Sequence, residues 1–464
     1  MSSLFGSLSI ALRSLLAQQG ALGTVTNNIA NANTPGYSRQ RPVLREEAPI
    51  FNGHLVLGDG VTLESIRSIR DRILELRLHQ ETQHQERLDA FLGAMRQVEA
   101  LFNETEGIGL ESVLSKFFDS LQALSVNPSS LPLRQGVLTA AENLAAAFRQ
   151  TTGNLSTIRL GLDRAITQGV GEANRLAAEI ANLNGQIAAL ETTGQDAGAL
   201  VDRRNLAIRD LSGLVDVAII DSTGGGLTIT TTNGTPLVAG ITSLPLDAQL
   251  DSATGMQHVF SQGTDITSAL NGGKIAGLIE ARDSAIPSVQ ADLDNLAANL
   301  ASAVNTVHRN GFDLSGSAGG DLFVPFVPLA PGSNAGAAAS FALALTDPAQ
   351  VAASSDGTLG SNGTLMALLA LRNQAVVAGQ RPVEFYSNLV FRIGDRISDA
   401  SAELEAENLV LKQLENQRSA ISGVSLDEEA TNLIRYQRAF EAAARVIAMV
   451  DELTSTTLNM LGRG

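Results

Sequence analysis

The chain has 464 residues, enough for roughly two to four domains with a sizeable buried core. Its 48 acidic against 32 basic residues give a formal net charge of −16, which argues against nucleic acid or an anionic membrane as the main partner. Cysteine is absent, so disulfides and thiolate metal sites are excluded while the compartment stays open.

No Lys or Arg precedes the first apolar run, Arg13 being the first basic residue, and no small-residue cleavage site follows it. The N-terminus therefore does not read as a cleaved signal peptide. Two stretches lack charge, 14–38 and 322–346, but Gln, Asn, Pro or Gly interrupts each. Neither is a continuous apolar span of about 20 residues, so no transmembrane helix is predicted.

Residues 4–29 carry Leu8, Leu15, Leu22 and Ile29 on a seven-residue comb, with Leu4, Ala11 and Val25 between the teeth. Such a repeat keeps one stripe in register with a partner helix. The run Asn31-Ala32-Asn33-Thr34-Pro35-Gly36 ends the helix, and Asn33, Pro35 and Gly36 are the residues that would turn the chain. An extended segment follows over 37–64. Helical patterns cover about 66–102, 108–124, 131–157, 159–191 and 198–213.

The texture changes at Val217, and 217–273 is rich in Gly, Thr, Ser and Val. Leu227–Thr232 alternates, Asn233-Gly234 offers the positive φ angles of a tight hairpin, and Pro236 places the second strand at an edge. Helix resumes over 273–309, with Pro287 marking a kink or a break. Residues 311–361 read as loops, and helix dominates again over 363–421. Ser422-Gly423-Val424-Ser425 is a hinge, and Ser425 with Glu428 forms a capping box. No Gly or Pro occurs from Leu426 through Leu461, so one long helix is expected. Leu426, Leu433, Phe440, Ile447 and Leu461 share a second seven-residue comb, interrupted at Thr454.

The predicted fold is mainly α with a β-rich insertion and a nested order. Residues 1–64 and 424–464 would hold paired terminal coiled-coil helices and the extended segment. Residues 65–216, 274–310 and 362–423 would form a helical bundle from both halves of the chain. The insertions would be β-rich over 217–273 and loop-rich over 311–361. Apolar stripes at both ends suggest helices that are frayed in the monomer and ordered in an assembly, with Leu8, Leu15, Leu22, Ile29, Leu426, Leu433, Phe440 and Ile447 as the interface.

Catalytic chemistry has little to stand on. His54, His79, His84, His258 and His308 are scattered, and the five-residue spacing of His79 and His84 is off the face used by helical zinc ligands, so both read as solvated. Gly272-Gly273-Lys274 resembles the end of a phosphate loop, but Ile275 replaces the Ser or Thr and Ser268 replaces the first Gly. Gly224-Gly225-Gly226 reads as a turn. Asp427-Glu428-Glu429 lies in the first turn of a helix, where the backbone dipole favours negative charge. No catalytic, metal or cofactor residues are predicted.

The string Asn27-Asn28-Ile29-Ala30-Asn31-Ala32-Asn33-Thr34-Pro35-Gly36-Tyr37-Ser38-Arg39-Gln40 resembles the N-terminal signature of bacterial flagellar axial proteins. Its Thr-Pro-Gly-Tyr-Ser-Arg-Gln part is similar to the hook-associated protein 1 family of the hook–filament junction. The run from Ser422 through Ala430, continuing Asn432-Leu433-Ile434-Arg435-Tyr436-Gln437, is similar to that family's C-terminal signature. Gly273–Glu280, Asn305–His308, Gly311-Phe312-Asp313 and Val201–Leu206 also match.

The resemblance implies a self-assembling structural subunit without cofactors, exported uncleaved through the flagellum's own pathway. Its partners would be further copies in a junction ring, the hook protein, the next hook-associated junction protein, and a cytoplasmic chaperone on the C-terminal helix. Nucleic acid and membrane are not among them. Alternatives are a rod, hook or filament protein, or an axial protein whose outer insertion binds a ligand or host surface or carries an enzyme.

Overall fold

The computed structural model describes residues 2–52, 55–103, 109–221, 226–328 and 330–461; His54 and the Gly224-Gly225 pair lie outside them. The chain is mostly helical with a small β region in its middle. Helix α1 (Ser2–Ala30) leads into strands β1 (Gln40–Glu46), β2 (Ile50–Asn52), β3 (Leu55–Leu57) and β4 (Val61–Ser68). β1 and β4 pair antiparallel from Gln40 opposite Ser68 to Glu46 opposite Val61, with a bulge at Val43/Leu44. This hairpin packs on α1, where Arg13 pairs with Asp59. Extended structure thus runs to Ser68, beyond the predicted helix start. Helix α2 (Arg72–Phe102) begins only where the Asp71 carboxylate caps it, accepting from Ile73 and Leu74 N–H at 2.9 and 3.1 Å.

Helices α3 (Leu110–Val126), α4 (Leu131–Thr192) and α5 (Gly198–Leu214) follow. The predicted break near residue 158 is absent: α4 is one helix of 62 residues. Its apolar stripe, from Val137 through Phe148, Leu155, Ile166 and Ile180 to Ile187, is buried along its whole length, and packing overrides the weak local propensity of its glycines.

The β region comprises β5 (Ala218–Asp221), β6 (Leu227–Thr230), β7 (Pro236–Ala239), β8 (Thr242–Ser243), β9 (Leu246–Leu250), β10 (Gln257–Ser261) and β11 (Thr264–Asp265). One sheet has the order β5-β6-β7-β8 and the other β11-β10-β9. β7 therefore has a neighbour on each side. Pro236 is accommodated because it opens the strand, before β8 begins to pair at Val238. The hairpin loop is longer than a two-residue turn; Thr231 N–H donates to Thr235 O at 2.7 Å, and only Gly234 takes a positive φ, 85°. Inward residues Ile229, Leu237, Val238, Leu246 and Val259 join the same buried cluster as the helices. Side chains of α4 bind the strand edges: Asn174 pairs with Leu246 N–H and C=O, both at 2.7 Å, and Asn184 donates to Leu227 and Gly240 carbonyls.

Helix α6 (Gly273–Glu280) passes through a π-helical turn at Ala281–Ala285 into α7 (Ile286–Arg309). The irregular turn immediately precedes Pro287, which supplies no N–H to a helical ladder. Side chains of α7 hold the loop-rich stretch. Asn305 binds Leu322 N–H and both backbone groups of Phe323, and His308 donates through Nδ1 to Gly320 O at 2.7 Å while Nε2 accepts from Ala352 N–H at 2.8 Å. The predicted helix over 363–421 is interrupted: α8 (Gly363–Ala370) ends, the chain turns through Ala378 at φ 47°, and α9 (Pro382–Ser422) starts on a proline. Helix α10 (Leu426–Leu461) closes the chain, and Ser425 Oγ accepts from Glu428 N–H at 3.4 Å as its cap.

α2 and α9, from opposite halves of the chain, pack side by side, and so do α1 and α10. The two terminal helices are thus packed on one another. No described helix is long and apolar enough to cross a membrane.

Candidate assembly interface

The last turn of α1 builds a polar knot. Asn31 Nδ2 donates back to Asn27 O at 3.0 Å, and Thr34 Oγ1 donates to Asn31 Oδ1, closing the helix end. Gly36 then takes φ 78°, a left-handed conformation that side chains resist, directly over Leu206. Asn33 and Pro35 are exposed on the outside of this turn. The side chain that organises it is Asn28, only 1% exposed. Its Nδ2 donates to Gln40 O at 2.8 Å and Glu429 Oε2 at 3.0 Å, and its Oδ1 accepts from Gln40 N–H and Tyr37 OH at 2.9 and 2.8 Å. All the hydrogen-bonding capacity of one buried amide is used.

Arg39 crosses the chain. Its Nε donates to Glu429 Oε1 at 2.8 Å, its Nη1 to Glu428 Oε2 at 2.6 Å, and its backbone N–H to Ser422 O at 2.9 Å. A second layer repeats the arrangement. Ser38 N–H and Arg70 Nε both reach Asp202, at 3.0 and 2.9 Å. Arg418 donates to Glu75 at 2.6 Å and to Gly36 O at 3.1 Å. Because Asn28 near the end of α1 meets Glu429 near the start of α10, the two terminal helices run antiparallel.

The electrostatics follow. Burial, reinforced by the negative charges of Asp202 and Glu429, pushes the Tyr37 hydroxyl up to about 12. Burial alone would lower the Arg39 pKa, but Glu428 and Glu429 outweigh it and the net shift is upward.

Of the predicted interface residues, Leu8, Leu15 and Leu22 are half-buried on α1, while Ile29 is 36% exposed at its end. Leu433, Phe440 and Ile447 are half-buried on α10, and Leu426 is 56% exposed. Gly36 sits in the knot; Asn33 and Pro35 do not contribute to it by any described hydrogen bond. A second α10 comb escaped the sequence reading: Glu429, Tyr436, Ala443 and Val450 lie three residues from the first comb, and Glu429, Ala443 and Val450 are buried. The polar residues Asn28, Arg39, Asp202, Arg418 and Glu429 also went unread as partners. Their signal was charge complementarity across 390 positions, from Arg39 to Glu429, which no local pattern reveals.

His84 is exposed as predicted, but His79 is not solvated: it is 3% exposed, and burial lowers its pKa to about 4. In the β region His258 Nδ1 lies 2.7 Å from Asp265 Oδ2 and Nε2 lies 3.4 Å from Thr254 Oγ1. That hydroxyl donates to Asp251 at 2.8 Å, so the group closes the β9–β10 turn. Among the described residues no cluster of three or more His, Asp or Glu is placed to hold a metal ion.

Three family models match the chain: "Flagellar hook-associated protein FlgK helical domain" over 95–323, "Flagellar basal body rod FlgEFG protein C-terminal" over 415–460, and "Flagella basal body rod protein" over 8–37. The chain is similar to flagellar hook-associated protein 1 of Bacillus subtilis strain 168, 31% identical over 508 aligned residues and covering 100% of both chains. Its similarity to the protein of that name from Salmonella typhimurium is 27% over 558 residues, covering 99% of this chain and 100% of the other. Among solved structures, the flagellar hook junction protein FlgK from Burkholderia pseudomallei shares the fold, with a TM-score of 0.67 at 18% identity, over 75% of this chain and 100% of that one.

Proposed function

The chain belongs to the flagellar hook-associated protein 1 family, structural proteins rather than enzymes, and on that premise we propose how it builds the hook–filament junction. It is a structural subunit of the bacterial flagellum that self-assembles and associates with hook and filament proteins.

The α1–α10 pair is the assembly element, a coiled-coil stave in an inner tube of like staves. Leu8, Leu15, Leu22, Ile29, Leu426, Leu433, Phe440 and Ile447 form its seams, and Asn33, Pro35 and Gly36 redirect the chain outward into the helical body. Residues 65–216, 274–310 and 362–423 form the wall around that tube, with 217–273 and 311–361 outermost. Neighbours in the axial direction are the hook protein and the next junction protein. A cytoplasmic chaperone covers α10 until the chain is exported.

The observation that carries this reading is the apolar surface left on the paired termini. Phe5, Leu12 and Leu16 on α1, and Ile434, Met449 and Leu453 on α10, are all exposed. A pair already packed on each other and still presenting large apolar side chains is suited to neighbours on its remaining faces.

The test is deletion of the gene, with cells viewed by electron microscopy and the medium assayed for flagellin. Hooks without filaments, with flagellin lost to the medium, are expected. Intact filaments would overturn the junction role.

A further inference from the structure

The contact between α2 and α9 follows a heptad from end to end. On α2 the inward positions are Leu74, Leu78, Glu81, Gln85, Leu88, Leu92 and Met95; on α9 they are Ile393, Ile397, Ala400, Leu404, Glu407, Leu411 and Leu414. The helices run antiparallel, since Glu75 meets Arg418, Gln85 meets Asn408 and Phe102 meets Tyr386. The apolar seam is not continuous. Leu74, Leu78, Leu411 and Leu414 form a small cluster of their own, apart from the main core that holds Leu88, Leu92, Met95, Ala400 and Leu404. Between the clusters lies a polar layer, in which Gln85 Nε2 donates to Asn408 at 3.2 Å and the carboxyls of Glu81 and Glu407 meet.

Two carboxyls in hydrogen-bond contact cannot both be ionised, because one must donate the proton that joins them. Glu407 Oε2 is shielded and has no hydrogen-bond partner among the described residues. A groove of about 890 Å³ opens beside the pair and gives solvent protons access. The charged groups around the layer are Arg87 on α2, Glu280 on α6 2.8 Å from it and Glu403 on α9 3.9 Å from it, with His79, His84 and Asp216 on the groove wall.

We propose that Glu81 and Glu407 form a proton-dependent clasp in the α2–α9 seam, closed while Glu407 carries the proton that joins it to Glu81 and open when Glu407 ionises. The clasp lies between the main core of the body and the end of the α2–α9 pair that meets the knot. Glu407 is placed for this at near-neutral pH: burial, then the contact with Glu81 and the charges of Glu81 and Glu403, raise it to about 7, with Arg87 opposing. The folded pKa lies above the unfolded value, so the stabilisation is complete below about 4.5 and is lost as pH rises through about 7.

Amide hydrogen exchange of the full chain, corrected for intrinsic rates, reads this directly. Between pH 6 and pH 8, opening of residues 74–84 and 404–416 should rise about threefold, the full effect being reduced by solvent screening of a partly exposed group, while 137–148 in the body stay unchanged. Glu407→Gln, whose amide can donate to Glu81 at any pH, should hold the pH 6 protection at pH 8, and Glu81→Gln should do the same from the other side. Equal wild-type protection at both pH values, or a pH dependence that survives both substitutions, would overturn the clasp.

Discussion

Removing the Glu429 carboxylate tests the knot most directly. The residue is 1% exposed and binds Asn28 at 3.0 Å and Arg39 at 2.8 and 2.7 Å. In Glu429→Ala, Asn28 keeps its bond to Gln40 O at 2.8 Å, whereas Arg39 keeps only Glu428, whose side chain is 62% exposed. Stripping one partner from a buried pair costs about 3–5 kcal/mol when the other charge stays buried. The Arg39 side chain is 21% exposed and retains an acceptor, so about 2–3 kcal/mol is the expected loss here. That falls on the segments the knot ties, not on the separate core of the body, and raises their opening equilibrium roughly 30- to 150-fold. Native-state proteolysis at low protease concentration reports that equilibrium. Cleavage within 31–41 should accelerate by that factor in Glu429→Ala. A double-mutant cycle with Arg39→Ala should give a coupling of about 1.5–2 kcal/mol. Coupling below about 0.5 kcal/mol would show that the pair does not clamp the ends.

Phe440→Asp, or Leu433→Asp, should abolish filament attachment while leaving the melting of the helical body unchanged; normal filaments on cells carrying either variant would remove these residues from the seam. Gly277 lies where α6 crosses α2, and a Cβ there would come 2.1 Å from the Arg87 carbonyl oxygen. Backbone cannot yield as a side chain can, so Gly277→Ala should cost about 3 kcal/mol and lower Tm by about 3–4 °C, measured by circular dichroism; a shift under about 1 °C would contradict the close approach. Burial holds His79 neutral down to about 4, against 6.5 when unperturbed, so its contribution to stability is complete above 6.5 and is lost as pH falls through about 4. His79→Leu should therefore lessen acid destabilisation across that window, and superimposable acid-unfolding curves would refute it.

The elements most legible in the sequence were those set by local chemistry. Helix α10 begins at its capping serine and runs through Leu461 because no Gly or Pro interrupts it. The stop after Ala30 and the change at Val217 were equally readable from Asn, Pro and Gly and from composition. The continuity of α4 was not, since it rests on what packs against residues 155–170 and not on their own propensity. The division of α8 from α9 was missed although Pro382 marks it. At the interface the apolar combs were visible because heptads are periodic. Glu429 was read as a helix-start charge, which it is, but its role as the buried partner of Asn28 and Arg39 depends on two segments that only the fold brings together.

The bond from Arg39 to Glu429 joins positions 390 apart, and that from Asn28 to Glu429 joins positions 401 apart. A contact of such range cannot form until nearly the whole chain is at hand. On a ribosome Asn28 and Arg39 emerge first and have no mate until Glu429 follows, and in passage through a channel whichever end leads waits in the same way. The knot therefore reports arrival of the second end: a subunit cut before Glu429 leaves Asn28 and Arg39 short of a shared acceptor, and only one that reaches it closes.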